Sequence, residues 1–314
     1  MRADSMPNVV SFYQFVDIAD PVALRDRLQS RCEQLDLLGT ILVAGEGVNG
    51  TLAGAGDHVQ EIFDGLCTQL ALQAPIDARW TEAENAPFRR MRVRLKKEIV
   101  TLGRPDILPQ QCTGKHVSPE EWNALIDNPE TLIIDTRNRY EIEVGTFPNA
   151  VDPGNTSFRE FPQFARELAM SDKKRPLAMF CTGGIRCEKA TALMLELGFT
   201  EVNQLQGGII NYLHKIDAEE NRWQGECFVF DTRVAINRDL AEGGYVQCHA
   251  CRRPLSGEDL ESPDYREGVS CPKCIDELGT ERALGLEERR RQVRLARARG
   301  GEHIGPQASG NGAP

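Results

Sequence analysis

The chain has 314 residues, with 37 Lys and Arg against 47 Asp and Glu, a formal net charge of −10 and ten cysteines. That length allows two or three domains; no apolar run reaches a membrane span, and no secretory apolar segment follows Met1–Ser5, so a cytoplasmic protein is expected. In that compartment ten cysteines point to catalysis or metal binding before a disulfide framework, and the acidic balance leaves room for a nucleic-acid partner only at a local basic surface.

Residues 1–104 read as a small α+β domain. Val9 to Val16 is strand-like and Pro21 to Leu35 has helical periodicity. Thr40 to Ala44 is an apolar strand, followed by a turn over Gly45–Gly50 and a short strand at Thr51–Ala53. Asp57 to Leu70 predicts a second helix, with Asp57 and Gln60 spaced as a capping box. Met91 to Leu95 supplies the last strand. The order β-α-β-β-α-β is that of a ferredoxin-like sandwich. A linker spans 105–117. The second unit, 118–216, opens with Ser118 as N-cap, Pro119 at the first helical position and Glu121 closing a capping box. Strands at Leu132–Asp135, Leu177–Phe180 and Val202–Leu205 alternate with helices at Phe158–Met170, Glu188–Leu197 and Gly208–Ile216, which predicts a parallel sheet covered by helices. A short cysteine-rich unit follows over 217–280. A basic helix, Glu281 to Arg299, then leads into a Gly/Ala/Pro-rich tail expected to be disordered, the last segment spanning 281–314.

Chemistry concentrates at Cys181-Thr182-Gly183-Gly184-Ile185-Arg186-Cys187. A cysteine that ends a buried strand on a glycine-rich turn opening a helix meets backbone N–H groups and the positive end of the helix dipole, both of which favour a thiolate. Arg186 adds a fixed charge, and Cys187 is either a resolving thiol or second nucleophile, or a packed core residue. The site falls at the carboxyl end of a strand, where open α/β sheets bind ligands. Cysteine-dependent phosphatases space Cys and Arg by five residues to cradle a phosphate. Here the spacing is four, and the smaller loop suits a smaller group such as a sulfane sulfur.

Cys248, Cys251, Cys271 and Cys274 form C-x2-C-x19-C-x2-C, the spacing of a closed, structural four-thiolate zinc site. Such a site has no open position and is not catalytic; Cys227, beside Phe228-Val229-Phe230, reads as core. From Pro87 to Lys97 the chain places Met91, Val93 and Leu95 on one face of a strand and Arg90, Arg92, Arg94 and Lys96 on the other. Residues 79–104 hold eight Lys and Arg against three Glu, a basic island in an acidic chain. A phosphate backbone is one partner for it, and solvated edge protection is the other account. The seven arginines of 281–299, against three Glu, add to the case for RNA, the other account being a solvated helix face.

The loop, with Asp135-Thr136-Arg137, Tyr140-Glu141, Gly145-Thr146-Phe147-Pro148-Asn149-Ala150 and Leu205-Gln206-Gly207-Gly208-Ile209, resembles the rhodanese family, Thr146 replacing its usual histidine. Asp135 and Arg137 are expected to brace the fold. With Leu42–Thr51, Thr156–Pro162, Gly225–Asp231, Glu188-Lys189 and the paired Cys-x2-Cys motifs, the chain to about Gly279 is similar to the rhodanese-containing tRNA uridine hydroxylases. The resemblance implies an α/β multidomain protein with a ferredoxin-like N-terminal domain, a central rhodanese-like domain with a parallel sheet and a zinc-ribbon-like C-terminal unit. It implies dioxygen-dependent conversion of wobble uridine to 5-hydroxyuridine at the tRNA anticodon loop, through Cys181. No flavin or nicotinamide fingerprint occurs and no 2-His-1-carboxylate iron set stands out, so thiol chemistry is expected to carry the reaction. The rival is a sulfurtransferase carrying a persulfide on Cys181.

Overall fold

The structure is a computed structural model that describes residues 8–70, 76, 78–82, 88, 90–171, 173–231 and 233–300. Pro87 and Arg89 of the basic segment and the Gly/Ala/Pro-rich tail after Gly300 lie outside the described residues.

The N-terminal unit runs β1 (Asn8–Phe15), α1 (Pro21–Gln34), β2 (Leu38–Ala44), β3 (Gly47–Gly54), α2 (Gly56–Gln69), β4 (Ala78–Glu82) and β5 (Met91–Leu95). Its sheet has the order β4-β1-β3-β2-β5. The fold is the expected ferredoxin-like sandwich, but its fourth strand is β4, which sequence reading missed. Met91–Leu95 is a fifth strand, parallel to β2 on the far edge. β4 was hard to see because Ala78-Arg79-Trp80-Thr81-Glu82 carries no buried alternation of its own. The turn after β2 is only Gly45-Glu46, and Gly47 to Gly50 are already strand. Gly47 has φ +145, and a Cβ there would strike the Gln14 carbonyl, so the hairpin closes only with glycine. Asp20 caps α1 by accepting from the Ala23 N–H at 2.9 Å. The capping box expected at Asp57 and Gln60 is absent: α2 starts at Gly56 after Ala55, with no side-chain cap. Val10, Phe12, Ile41, Val43, Val48, Leu52 and Val93 form the sheet side of one core against α1 and α2.

The second unit opens one strand earlier than expected. β6 (Lys115–Val117) lies within the span read as linker and pairs in parallel with β10 (Val202–Leu205). The capping box at Ser118 and Glu121 starts α3 (Pro119–Asp127). β7 (Leu132–Asp135), α4 (Arg139–Ile142) and β8 (Gly145–Thr146) follow. A single 3-10 turn over Phe158–Glu160 leads into α5 (Phe161–Ser171), then come β9 (Leu177–Phe180), α6 (Ile185–Glu196), β10 and α7 (Gly208–Lys215). The sheet order is β6-β10-β9-β7, all parallel. α5 and α6 cover one face through Phe161, Ala165, Ala190 and Leu193, and Trp122, Ile209 and Tyr212 fill the other. Two-sided burial explains why Leu177-Ala178-Met179-Phe180 is apolar throughout. Short ladders follow, among them Cys227–Phe228 with Ala235–Ile236 and Val246–Gln247 with Pro254–Leu255. A five-residue helix, α8 (Gly257–Glu261), and the basic helix α9 (Thr280–Ala298) complete the described chain. Among the described residues no helix is long and apolar enough to cross a membrane.

Candidate active site

Cys181 ends β9, and α6 begins at Ile185, three residues earlier than its hydrophobic spacing suggests. The loop is therefore only Cys181 to Gly184. Gly184 is the residue that lets it turn, with φ +99. Its N–H donates to Cys181 Sγ at 3.1 Å. Burial alone would raise the Cys181 thiol. It is outweighed by the Cys187 thiol donating to the Cys181 sulfur, by the Arg186 guanidinium and by the N–H groups of Cys187 and Arg186. The Cys181 pKa therefore falls far below the ordinary thiol range. Cys187, buried and donating to a thiolate, is driven the opposite way, with Thr136 Oγ1 3.6 Å from its sulfur. One thiolate and one retained proton are thus held together in an enclosed space, and both sulfurs belong to residues with no exposed surface.

Arg186 does not point freely at the loop. Its fork is held bidentately by Glu141, at 2.6 and 2.7 Å, with Thr182 Oγ1 3.4 Å from the same guanidinium. It therefore acts on Cys181 through its field and by fixing the loop. Phe230, 65% exposed, lies over it with the ring centroid 5.9 Å from the guanidinium carbon. The neighbouring pair behaves as expected: Arg137 and Asp135 are fully buried and 2.7 Å apart, and Arg137 also donates to the Gly145 carbonyl at 2.6 Å. Thr146 donates to Asp135 Oδ2 at 2.9 Å. Cys227 is core, its thiol pushed up to about 12 by burial.

The first turn of α6 commits four consecutive buried residues to four separate sets of partners. Arg186 binds Glu141, and Cys187 binds Cys181. Glu188 accepts from His116 Nε2 at 2.8 Å, from Tyr13 Oη at 3.2 Å and from Thr113 and Gln204. Lys189 lies 2.6 Å from Glu46 and 2.7 Å from Glu98, with no exposed surface. Glu46 and Glu98 belong to the N-terminal unit, so α6 is fastened to it by a buried triad. The N-terminal sheet also covers the loop. A Cβ on Gly184 would lie 2.9 Å from Tyr13 Oη, and Arg79 Nη2 is 3.4 Å from the Gly183 carbonyl. A cleft of about 420 Å³ opens between the units, with Tyr13, His116, Glu188, Gln206 and Gly207 among its walls.

Sequence reading missed Tyr13, Arg79, Glu46, Glu98, His116 and the partner of Arg186. A signal existed for two of them. Tyr13 is an aromatic on the outward phase of a strand whose inward phase is Val10 and Phe12, and Glu46 is the lone charge in the glycine-rich hairpin.

The basic strand is only partly as expected. Val93 and Met91 meet the core, but Leu95 is 44% exposed at the end of the edge strand. Arg90, Arg94 and Lys96 are exposed and Arg92 half-buried. The sheet puts β5 on the opposite edge from β4, so these cations are not at the Cys181 loop.

Cys248, Cys251, Cys271 and Cys274 converge, their sulfurs all within 4.8 Å of one another. The Cys251–Cys271 and Cys271–Cys274 separations, 3.8 and 3.5 Å, suit the edge of a tetrahedron with Zn–S bonds of about 2.3 Å, roughly 3.8 Å long. Four thiolates from two knuckles fit a structural zinc ion, with Leu255 and Leu286 packed beside them.

Residues 7–99 match the family described as UPF0176 acylphosphatase like domain, and residues 118–215 match the rhodanese-like domain. Among solved structures, the rhodanese-like domain of an Anabaena sp. protein is 18% identical over 36% of this chain and 80% of its own, with TM-score 0.30. A human single-domain sulfurtransferase is 26% identical over 33% of this chain and 99% of its own, with TM-score 0.29. An acylphosphatase from Coxiella burnetii is 20% identical over 28% of this chain and 92% of its own, with TM-score 0.22.

Proposed function

Since the chain joins a UPF0176 acylphosphatase-like domain to a rhodanese-like domain, the architecture of the UPF0176 rhodanese-domain tRNA hydroxylase family, we propose that it converts a wobble uridine of tRNA to 5-hydroxyuridine with dioxygen, through Cys181. The observation that carries the reading is the place of the N-terminal domain: Tyr13 and Arg79 rest on the nucleophile loop, so both domains shape what reaches the thiolate. The basic residues Arg90, Arg92, Arg94 and Lys96 would receive the RNA backbone.

The conversion balances as uridine, dioxygen and two thiols giving 5-hydroxyuridine, water and a disulfide, so its reductant is a dithiol or a pair of thiols. In one route the Cys181 thiolate adds to C6 of a flipped-out uridine and makes C5 electron-rich. Oxygen is delivered to C5, the C5 proton leaves, and the C6–S bond breaks to restore the ring. In the other, dioxygen and the reducing thiol pair first convert Cys181 to an oxidised sulfur, a sulfenic acid, releasing water and the disulfide. C5 of the uridine takes the sulfenic oxygen as the S–O bond breaks, the C5 proton leaves and Cys181 returns as thiolate. Cys187 resolves any sulfenic acid that meets no substrate. Both use the division of protonation between the two sulfurs. Arg186, Thr182, Gly183, Gly184 and Ile185 hold the loop that presents them.

The test is mass spectrometry of tRNA nucleosides from cells lacking the protein, complemented with wild type or Cys181→Ala. Loss of 5-hydroxyuridine and its derivatives, restored only by wild type, is expected. Hydroxylation by Cys181→Ala at the wild-type level refutes both routes, and trapping of 5-fluorouridine RNA on Cys181 selects the first. The second reading is persulfide transfer, favoured by the four-residue Cys–Arg spacing. It takes over if deletion leaves 5-hydroxyuridine unchanged while the pure protein transfers sulfur from thiosulfate to a thiol.

A further inference from the structure

The strand register of the N-terminal sheet aligns five side chains in one row. Arg79 on β4 pairs with Ser11 on β1, Ser11 with Thr51 on β3, Thr51 with Thr40 on β2, and Thr40 with Arg92 on β5. Directly paired residues point to the same face of a sheet. The row lies on the face opposite α1 and α2, because the alternate residues Val10, Phe12, Ile41, Leu52 and Val93 fill the helix-side core. Ser11 is exposed, and Thr40, Thr51, Arg79 and Arg92 are partly so. Ser11 Oγ and Thr51 Oγ1 are 3.0 Å apart. Four strand spacings make the row roughly 19 Å long. One end, Arg79, sits on the Gly183 carbonyl of the nucleophile loop, and the other is the basic strand.

We propose that this row is a track for the sugar–phosphate backbone of a single-stranded RNA segment, leading from the basic edge to Cys181. The proposal rests on the tRNA reading above and names the surface that would guide the loop in. The chemistry is specific. The row offers two guanidiniums and three hydroxyls, all hydrogen-bond donors, with no carboxylate and no large apolar side chain. Protection of an edge strand by charge accounts for arginines on β5. It does not account for hydroxyls on the three central strands, or for an arginine on the other edge in the same register. An unpaired strand crossing a sheet face with its phosphates on cations and hydroxyls is a familiar use of such a surface.

The experiment measures binding of a fluorescently labelled anticodon stem–loop RNA to the full-length protein by anisotropy, across a salt series. Thr51 is the centre of the row. Thr51→Glu is expected to weaken binding roughly tenfold, and Thr51→Lys to tighten it and steepen the salt dependence by about 0.7 in log–log slope. Opposite responses at one position cannot come from misfolding. Gln69→Glu, at an exposed position of α2 on the other face, carries the same charge change and is expected to leave binding unchanged. If wild type binds but Thr51→Glu and Thr51→Lys both match it, or both weaken it alike, the track is wrong and the tRNA reading stands. If wild type does not bind the RNA, both fall. Displacement of the RNA by polyglutamate as readily as by unlabelled RNA overturns the track in favour of a site for acidic peptides.

Discussion

Replacing Lys189 by methionine keeps the length of the stem and removes the only cation of a buried triad that joins the two domains. Lys189 has no exposed surface, and its two carboxylate partners are about 5% exposed. Removing one partner of a buried ion pair costs about 3–5 kcal/mol. Three backbone donors stay behind. Ile99 N–H is 2.7 Å from Glu46, and the N–H groups of Leu102 and Gly103 are 3.2 and 3.0 Å from Glu98. They place the loss near 3 kcal/mol. The deficit depends on pH in a defined direction. Burial raises the Glu46 pKa even with Lys189 beside it. A carboxyl whose folded pKa is raised binds its proton more tightly when folded, so its contribution is favourable at low pH and is lost as pH rises from the unfolded value through the folded one. Without Lys189 the rise is larger, and each proton held only in the folded state gives a slope of about 1.4 kcal/mol per pH unit across that window. Urea denaturation of both proteins at pH 5 and pH 8 measures it. The variant should be clearly weaker at pH 8 and closer to wild type at pH 5, and adding Glu46→Gln should recover part of the loss. An equal deficit at both pH values, or one under about 1 kcal/mol at pH 8, refutes the reasoning.

Three further outcomes follow from the site. Iodoacetamide pulses at pH 6 and pH 8, read by peptide mass spectrometry, should label Cys181 at similar rates and leave Cys187 nearly untouched, because one sulfur is already a thiolate and the other keeps its proton; a Cys181 rate that climbs with pH like a free thiol contradicts this. The purified protein should contain one zinc per chain by elemental analysis, and Cys271→Ser should lose it together with protease resistance of the C-terminal unit; full zinc content in the variant removes Cys271 from the site. Arg92→Glu with Arg94→Glu should weaken anticodon stem–loop binding at low salt by at least tenfold and flatten the salt dependence by one to two units of log–log slope, roughly one per lost phosphate contact; unchanged slopes leave the basic strand as edge protection.

How much of this was legible in the sequence depends on the range of the interaction. The parallel sheet, the glycine-rich turn from Cys181 into α6 and the four zinc-spaced cysteines declare themselves over short stretches, as does Ser118 capping α3. The identity of the last N-terminal strand did not, since Met91–Leu95 has inward alternation while β4 is an edge strand recognisable only through its register with β1. The start of α6 was misplaced because Ile185, Arg186 and Cys187 pack in different directions and break the apolar period. Glu98 and Lys189 look like ordinary surface charges in one dimension, and Glu46 stands out only as the lone charge of its hairpin, with no sign of its partner. Their meaning is a contact between residues more than ninety positions apart, at Glu98, and more than a hundred and forty apart, at Glu46. No local pattern encodes such a contact.

The opening turn of α6 has a consequence for how this protein can vary. Successive residues on a helix are rotated by roughly 100°, so Arg186, Cys187, Glu188 and Lys189 address four compass points. Every one of those points is occupied by a fixed partner: Glu141, Cys181, His116 with Tyr13, and the two glutamates of the other domain. The helix therefore has no idle side at its start and cannot rotate, slide or gain a residue there without losing all four contacts together. An insertion beyond Leu193, by contrast, leaves these four in place and displaces instead Met194 in the core and Glu196 from its ion pair with Arg104. The angular phase of one helical turn thus fixes the thiolate, the arginine behind it and the seating of the neighbouring domain as a single unit.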